Sequence, residues 1–202
     1  MPQSSSSTLV NVYRPIAVLM CTAAVTMSAA AQHQHAHSHG QLSLDVAIDK
    51  QSISLSISSP LDSFLGFERA PRNDAERKRV TELVAQLNAA DVLLQPDPTA
   101  GCKLSNVTMA SAALDLDTTA EGAGNHEHGH GRKDAHGHSD EHADIDINVV
   151  FTCADTRKAK FIDVKLFDAY KRIHTINAQI AAPGRQFKQS LRPGTPRLNL
   201  TR

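Results

Sequence analysis

The chain has 202 residues, and its 21 Lys and Arg balance its 21 Asp and Glu. That length suits one domain with enough chain to bury a core. The even charge argues against nucleic acid and against an anionic membrane surface as partners.

Residues 1–31 read as a cleaved secretory signal peptide. Arg14 ends a polar, weakly positive stretch, the apolar run PIAVLMCTAAVTMS follows, and Ala29-Ala30-Ala31 fits a small-residue cleavage site. The run is too short for a spanning helix, so no stable membrane insertion is expected after cleavage. Cys21 is a poor lipoprotein anchor, because Met20 before it is bulky and the apolar run continues beyond it. Cleavage before Gln32 would leave residues 32–40, HQHAHSHG with its flanking Gln, as the mature N-terminus. Cleavage one residue earlier would begin the chain Ala31-Gln32-His33, a strong chelate for copper(II) and nickel(II).

Ten of the eleven histidines fall in two tracts: His33, His35, His37 and His39 in the first, and His126, His128, His130, His136, His138 and His142 in the second. Imidazole is the commonest protein metal ligand, and a Gly-, Ser- and acid-rich tract lets several rings converge on one ion. A solvated low-complexity linker is the plain alternative. Zinc accepts neutral imidazole and carboxylate in a roughly tetrahedral shell. Each ion held by loose chain must offset the entropy of ordering it, about 1–2 kcal/mol per residue. The tracts are therefore expected to bind with moderate affinity and exchangeable ligands, less well as pH falls through about 6.5, where imidazole takes a proton.

Residues 41–202 read as a single α+β domain, mainly an antiparallel β-sheet with one clear amphipathic helix and a disordered His-rich loop at about 118–142. QLSLDVAI and SISLSIS alternate apolar and polar residues, which predicts a hairpin stopped by Pro60. SFLGFERAP is an irregular connector, in which Glu68 reads as a buried anchor before it reads as a functional acid. Asn73 is placed to cap a helix with Glu76 as its box partner, and Val80, Leu83, Val84 and Leu87 give that helix an apolar stripe. Val92-Leu93-Leu94 reads as a short buried run, and Cys102 through Leu116 as strand with weaker alternation. In HADIDINVVFTC, Ile145, Ile147, Val149, Phe151 and Cys153 share one face, and His142, Asp144 and Asp146 share the other. KFIDVKLF continues the alternation through Leu166, and IHTINAQI follows. His174 in it reads as structural or surface.

Export leaves Cys102 and Cys153, an even count that points to one disulfide worth roughly 4 kcal/mol if unstrained. It would hold the roots of the second His tract, which lies inside its loop. Two free thiols serving as zinc ligands are the alternative. Within the sheet, a defined metal site is expected if the roots of the two tract-bearing strands lie side by side. His39, His142 and one of Asp144 or Asp146 would then form its core. The fragment His126-Glu127-His128 lacks the spacing of a zincin helix, and no Ser-His-Asp set, phosphate loop or paired catalytic carboxylates can be argued.

The order of features resembles a known family. An H-x-H-x-HG start precedes Gly66-Phe67-Glu68-x-Ala70-Pro71. Ala100-Gly101-Cys102, Glu141-His142-x-Asp144 and Phe151-x-Cys153 follow. The chain is similar to ZrgA-type periplasmic zinc-uptake proteins over essentially all of its mature length. Family members often carry a histidine where this chain has Arg69, so any metal contact made there is absent here. The resemblance implies zinc binding in the periplasm in support of import, with zinc ions and a zinc importer component as partners, and no enzymatic activity. Ligand chemistry alone leaves Cu2+ and Ni2+ as alternatives to Zn2+, in a buffer or resistance protein. An exported zinc-dependent enzyme using the tracts to load its metal is the alternative from another class.

Overall fold

The computed structural model describes residues 38–117 and 143–201. Residues 1–31, for which a signal peptide is expected, the first tract up to His37, and the second tract with His142 lie outside the described residues.

Strict alternation builds the first two strands. Leu42, Leu44 and Val46 of β1 (Gln41–Ile48) and Ile53, Leu55 and Ile57 of β2 (Ser52–Pro60) are all buried, and the strands pair antiparallel with Leu44 opposite Ile57. Their polar turn closes with the Asp49 N–H donating to Ser52 O at 2.9 Å. After Pro60 the chain makes a single helical turn, α1 (Asp62–Leu65), ended by Gly66 in the left-handed region at φ 81°, where glycine carries no Cβ penalty.

The predicted helix is α2 (Asp74–Asn88), capped by Asn73, whose side-chain oxygen accepts the Glu76 N–H at 2.9 Å. Glu76 does not complete the reciprocal half of the box on Asn73. Its carboxylate accepts the Arg72 N–H at 2.7 Å and a two-pronged contact from Arg69 at 2.7 and 2.9 Å. The Arg69 guanidinium and the Arg72 N–H hold the Glu76 carboxyl down at about 2. Leu83 and Leu87 are buried, and Val80 and Val84 pack against the same core.

The short elements depart most from expectation. Leu93 and Leu94 are buried but Val92 is 61% exposed. A helical turn, α3 (Ala90–Leu93), gives way there to β3 (Leu94–Pro96), so Val92 stands on the outer side of the turn. β4 (Cys102–Ser111) has a register shift between Leu104 and Asn106, which accounts for its weak alternation. β5 (Leu116–Asp117) folds back on it. In β6 (Asp144–Cys153) the five inward residues are buried as predicted. Alternation ends with β7 (Phe161–Val164), because Leu166 begins a helical turn, α4 (Leu166–Ala169). That turn buries both Leu166 and its neighbour Phe167, which a strand with one buried face cannot do. β8 (Thr175–Ala182), β9 (Arg185–Leu191) and β10 (Arg197–Asn199) complete the chain.

The strand order in the main sheet is β5-β4-β6-β2-β1-β8-β9, and β10-β7-β3 form a smaller one. Among the described residues, every strand pairing is antiparallel except β1 with β8. Buried residues of both sheets and of α2 join in one core, so the α+β, mainly antiparallel reading holds. Cys102 and Cys153 are disulfide-bonded and sit opposite each other in the β4–β6 ladder. This bond lies at the far end of the ladder from residues 118–142. It does not clasp the roots of that segment, as expected from sequence. Sheet pairing does so instead, with Ala110 opposite Asp146 and the Ser111 hydroxyl donating to Asp144 O at 2.7 Å.

The Arg69–Glu76 contact sets a pH dependence. A carboxyl held near 2 in the fold, against an ordinary 4.5, contributes stability that is full above about pH 4.5. That contribution is lost as pH falls towards 2. Arg69→Ala should raise the Glu76 titration towards its ordinary value and move acid unfolding to higher pH, as read by carboxyl NMR. An unmoved Glu76 titration would show that the guanidinium is not the cause.

Candidate metal centre

β2 pairs antiparallel with β1 on one side and with β6 on the other. Ser58 stands opposite both Ser43 and Asp146, and Pro60 stands opposite Asp144. The N-terminal roots of β1 and β6 therefore lie at the same end of the sheet, two strand spacings or about 10 Å apart. They are not side by side, because β2 intervenes, so the adjacency that a shared His39 and His142 core requires is absent. What fills the interval is the chain that follows β2.

Asp62, in α1, and Glu68, in the connector, both reach His39. The His39 Nδ1 is 3.3 Å from Asp62 Oδ2 and 3.2 Å from Glu68 Oε1. The two carboxylates are only 13% and 14% exposed, whereas the imidazole is 64% exposed.

Each of the three is fixed by local structure. The Gln41 N–H donates to Ser38 O at 3.0 Å, which closes a turn around His39. Gly40 in that turn has φ 74°, and a Cβ there would stand 2.4 Å from the Arg172 carbonyl oxygen. The Gly40 carbonyl in turn accepts the N–H groups of His174 and Thr175 at 2.8 and 3.1 Å. Asp62 is held by Arg172, which donates through Nη2 to Oδ1 at 2.8 Å and through Nε to the Asp62 carbonyl at 3.0 Å. That leaves Oδ2 for the imidazole. Next to Glu68, Arg69 is tied to Glu76 and lies 5.0 Å over the Phe67 ring. His174 is exposed, with its ring beside Gly40; the sequence expectation is a structural or surface residue.

Glu68 also lines an open cleft of about 650 Å³, together with Arg69, Ala70, the Ala110–Ala113 segment, Ala143, Asp144 and Asp146. Asp144 is half-buried and Asp146 exposed, opposite the buried Ile145 and Ile147. Of the sequence-predicted ligands, the described residues include His39, Asp144 and Asp146. Asp144 and Asp146 share the cleft with Glu68, and Glu68 also reaches His39. Asp62 escaped sequence reading altogether, because a lone acid in a one-turn helix carries no pattern. For Glu68, its apolar surroundings in the sequence favour an anchor over a functional acid. Among the described residues, no group of three or more His, Cys, Asp or Glu side chains is arranged to hold a metal ion.

The sheet thus brings the residues that follow two histidine-rich segments to one end, beside carboxylates and an imidazole, which are ligand types that suit a divalent metal. Residues 36–200 match the ZrgA family zinc uptake protein, and the chain belongs to that family. Its role lies in zinc uptake, and zinc is the ion it associates with. Comparison with curated proteins finds no match. No helix among the described residues is long and apolar enough to cross a membrane.

Gly40→Ala tests the turn that positions His39. The added methyl meets backbone at a left-handed φ, so the variant should lose roughly 1–3 kcal/mol in urea unfolding. Stability within a few tenths of the parent would mean that the turn relaxes freely and does not position the ring.

Proposed function

We propose that the chain is a periplasmic zinc-binding protein that captures or buffers zinc in support of an importer. The observation that carries the reading is the common rooting of the two tracts. The first runs through His39-Gly40 into β1 and the second runs through Ala143-Asp144 into β6, and both roots stand at the same end of one sheet. Membership of a zinc uptake family supplies the cargo. The disulfide supports an oxidising compartment, as does the signal-peptide reading of residues 1–31, with cleavage before Gln32.

In this reading His33, His35, His37, His126, His128, His130, His136 and His138 gather zinc through exchangeable imidazole contacts. His39, His142, Asp144 and Asp146, at or beside the strand roots, hold it more firmly, because ligands on a folded strand need less ordering. Zinc then passes to an importer component.

Two variants test this. Deleting residues 125–138 should lower the number of zinc ions counted by native mass spectrometry and leave the thermal transition largely unchanged, since the stretch has no large apolar side chain to pack. Unchanged stoichiometry would remove the tract from zinc capture. His142→Ala should weaken the tightest calorimetric step, whereas replacing one tract histidine should cost little, because its neighbours can substitute. If His142→Ala leaves that step untouched, His142 is only another tract ligand.

A further inference from the structure

We infer that His39 Nδ1, Asp62 Oδ2 and Glu68 Oε1 are three corners of one fixed zinc site, with Arg172 as its positioning residue. This rests on the zinc-capture reading and assigns its tight site to two carboxylates outside both histidine tracts.

The first argument is metric. Zinc–nitrogen and zinc–oxygen bonds of about 2.0–2.1 Å at tetrahedral angles put neighbouring donor atoms about 3.3 Å apart. The imidazole nitrogen stands 3.3 Å from one carboxylate oxygen and 3.2 Å from the other. Two edges of a zinc tetrahedron are therefore already at length. The three do not yet enclose one point, and the exposed His39 ring is the member with room to move. Zinc, attracted by two carboxylates, supplies the pull.

The second argument is preorganisation. The three donors come from three separate places: the turn before β1, the first turn of α1, and the connector to α2. Folding has already fixed all three backbones, by Gly40 against Arg172, by the Arg172 contacts to Asp62, and by Arg69 on Glu76. The entropy of ordering ligands, which each tract-bound ion must offset for itself, is largely met here by the fold. Metal-ligating carboxylates are characteristically held by a hydrogen bond on their other oxygen. Arg172 on Asp62 Oδ1 is such a bond, at 2.8 Å.

The third argument is charge and access. Two carboxylates and a neutral imidazole leave one negative charge beyond the outer guanidinium, which suits a divalent cation. The ring faces solvent, and Glu68 opens onto the cleft that holds Asp144. A fourth ligand can therefore arrive from a tract imidazole or from water. A simple ion-pair latch for the N-terminal segment would use the same residues, so the test must separate latch from site.

Asp62→Asn combined with Glu68→Gln keeps the shape of both side chains, and the Asn carbonyl can still accept from Arg172. In the full chain, competition with a chromogenic chelator should show the tightest zinc step weakened about tenfold or more. Native mass spectrometry should show one ion fewer at saturation. An unchanged tightest step overturns the proposal. X-ray absorption of the unmodified protein at one equivalent of zinc needs no variant. One or two imidazoles with carboxylate oxygens support the site; three or more imidazoles overturn it, even though zinc capture by the tracts would stand. If the unmodified protein retains no zinc against the chelator, both the site and the capture reading fail.

Discussion

The register of β2 against its two neighbours governs everything at the metal end of the molecule. Because β2 is antiparallel to both β1 and β6, those two strands begin at the same edge, and the chain leaving β2 must turn through the space between their roots. Asp62 and Glu68 reach His39 for that reason alone. Side chains alternate strictly along a strand, so a slip of one residue in β6 would exchange Asp144 and Asp146 with Ile145 and Ile147. The buried row of β6, continued in Val149 and Phe151, prevents that slip, and the hydrophobic core thereby fixes the polar face. The Cys102–Cys153 bond pins the same ladder at its other end. The end of the sheet that carries His39, Asp144 and Asp146 is thus secured by pairing and packing, with the crosslink at the opposite end of the ladder.

The strands were readable in the sequence because a half-buried sheet writes its burial as alternation. Leu42, Leu44 and Val46, and again Ile145 through Cys153, left little ambiguity. α2 was readable from its cap at Asn73 and its apolar stripe. Val92 and Leu166 misled because each sits where one kind of local structure gives way to another, and over three or four residues periodicity cannot separate a strand from a turn of helix. The reciprocal cap on Glu76 failed for a different reason. Arg69 is a stronger partner for a carboxylate than a backbone N–H, and it drew Glu76 away from Asn73.

For the metal centre, composition revealed the histidine tracts and alternation placed Asp144 and Asp146 on the outer face. Neither could reveal Asp62. Its partner Arg172 is 110 residues away in sequence, and their contact exists only because β8 lies beside β1, in the one parallel pairing of the sheet. Gly40 carries the same lesson. Read along the chain, it only ends a histidine tract, whereas in the fold it is the point where β1 comes so close to the Arg172 carbonyl that no side chain fits. Ligands gathered by long-range pairing have no local signature, whereas ligands gathered by composition have one.

Zinc uptake sets two demands that pull apart. Capture from a dilute pool favours rigid, preordered donors, while delivery to a partner requires that the ion can leave. In the proposed reading, a tract of interchangeable imidazoles would meet the second demand, because each ligand could be replaced by its neighbour and no single bond would control escape. The half-buried carboxylates of Asp62, held by Arg172, and of Glu68, in the connector, would meet the first. His39 joins the two, since its backbone belongs to the folded turn while its ring remains open to solvent at the end of the first tract. A zinc ion entering by tract imidazoles would thus meet a residue that is chemically one more histidine of the series but mechanically part of the sheet. Removing the glycine after it would leave every ligand in place and still weaken that join.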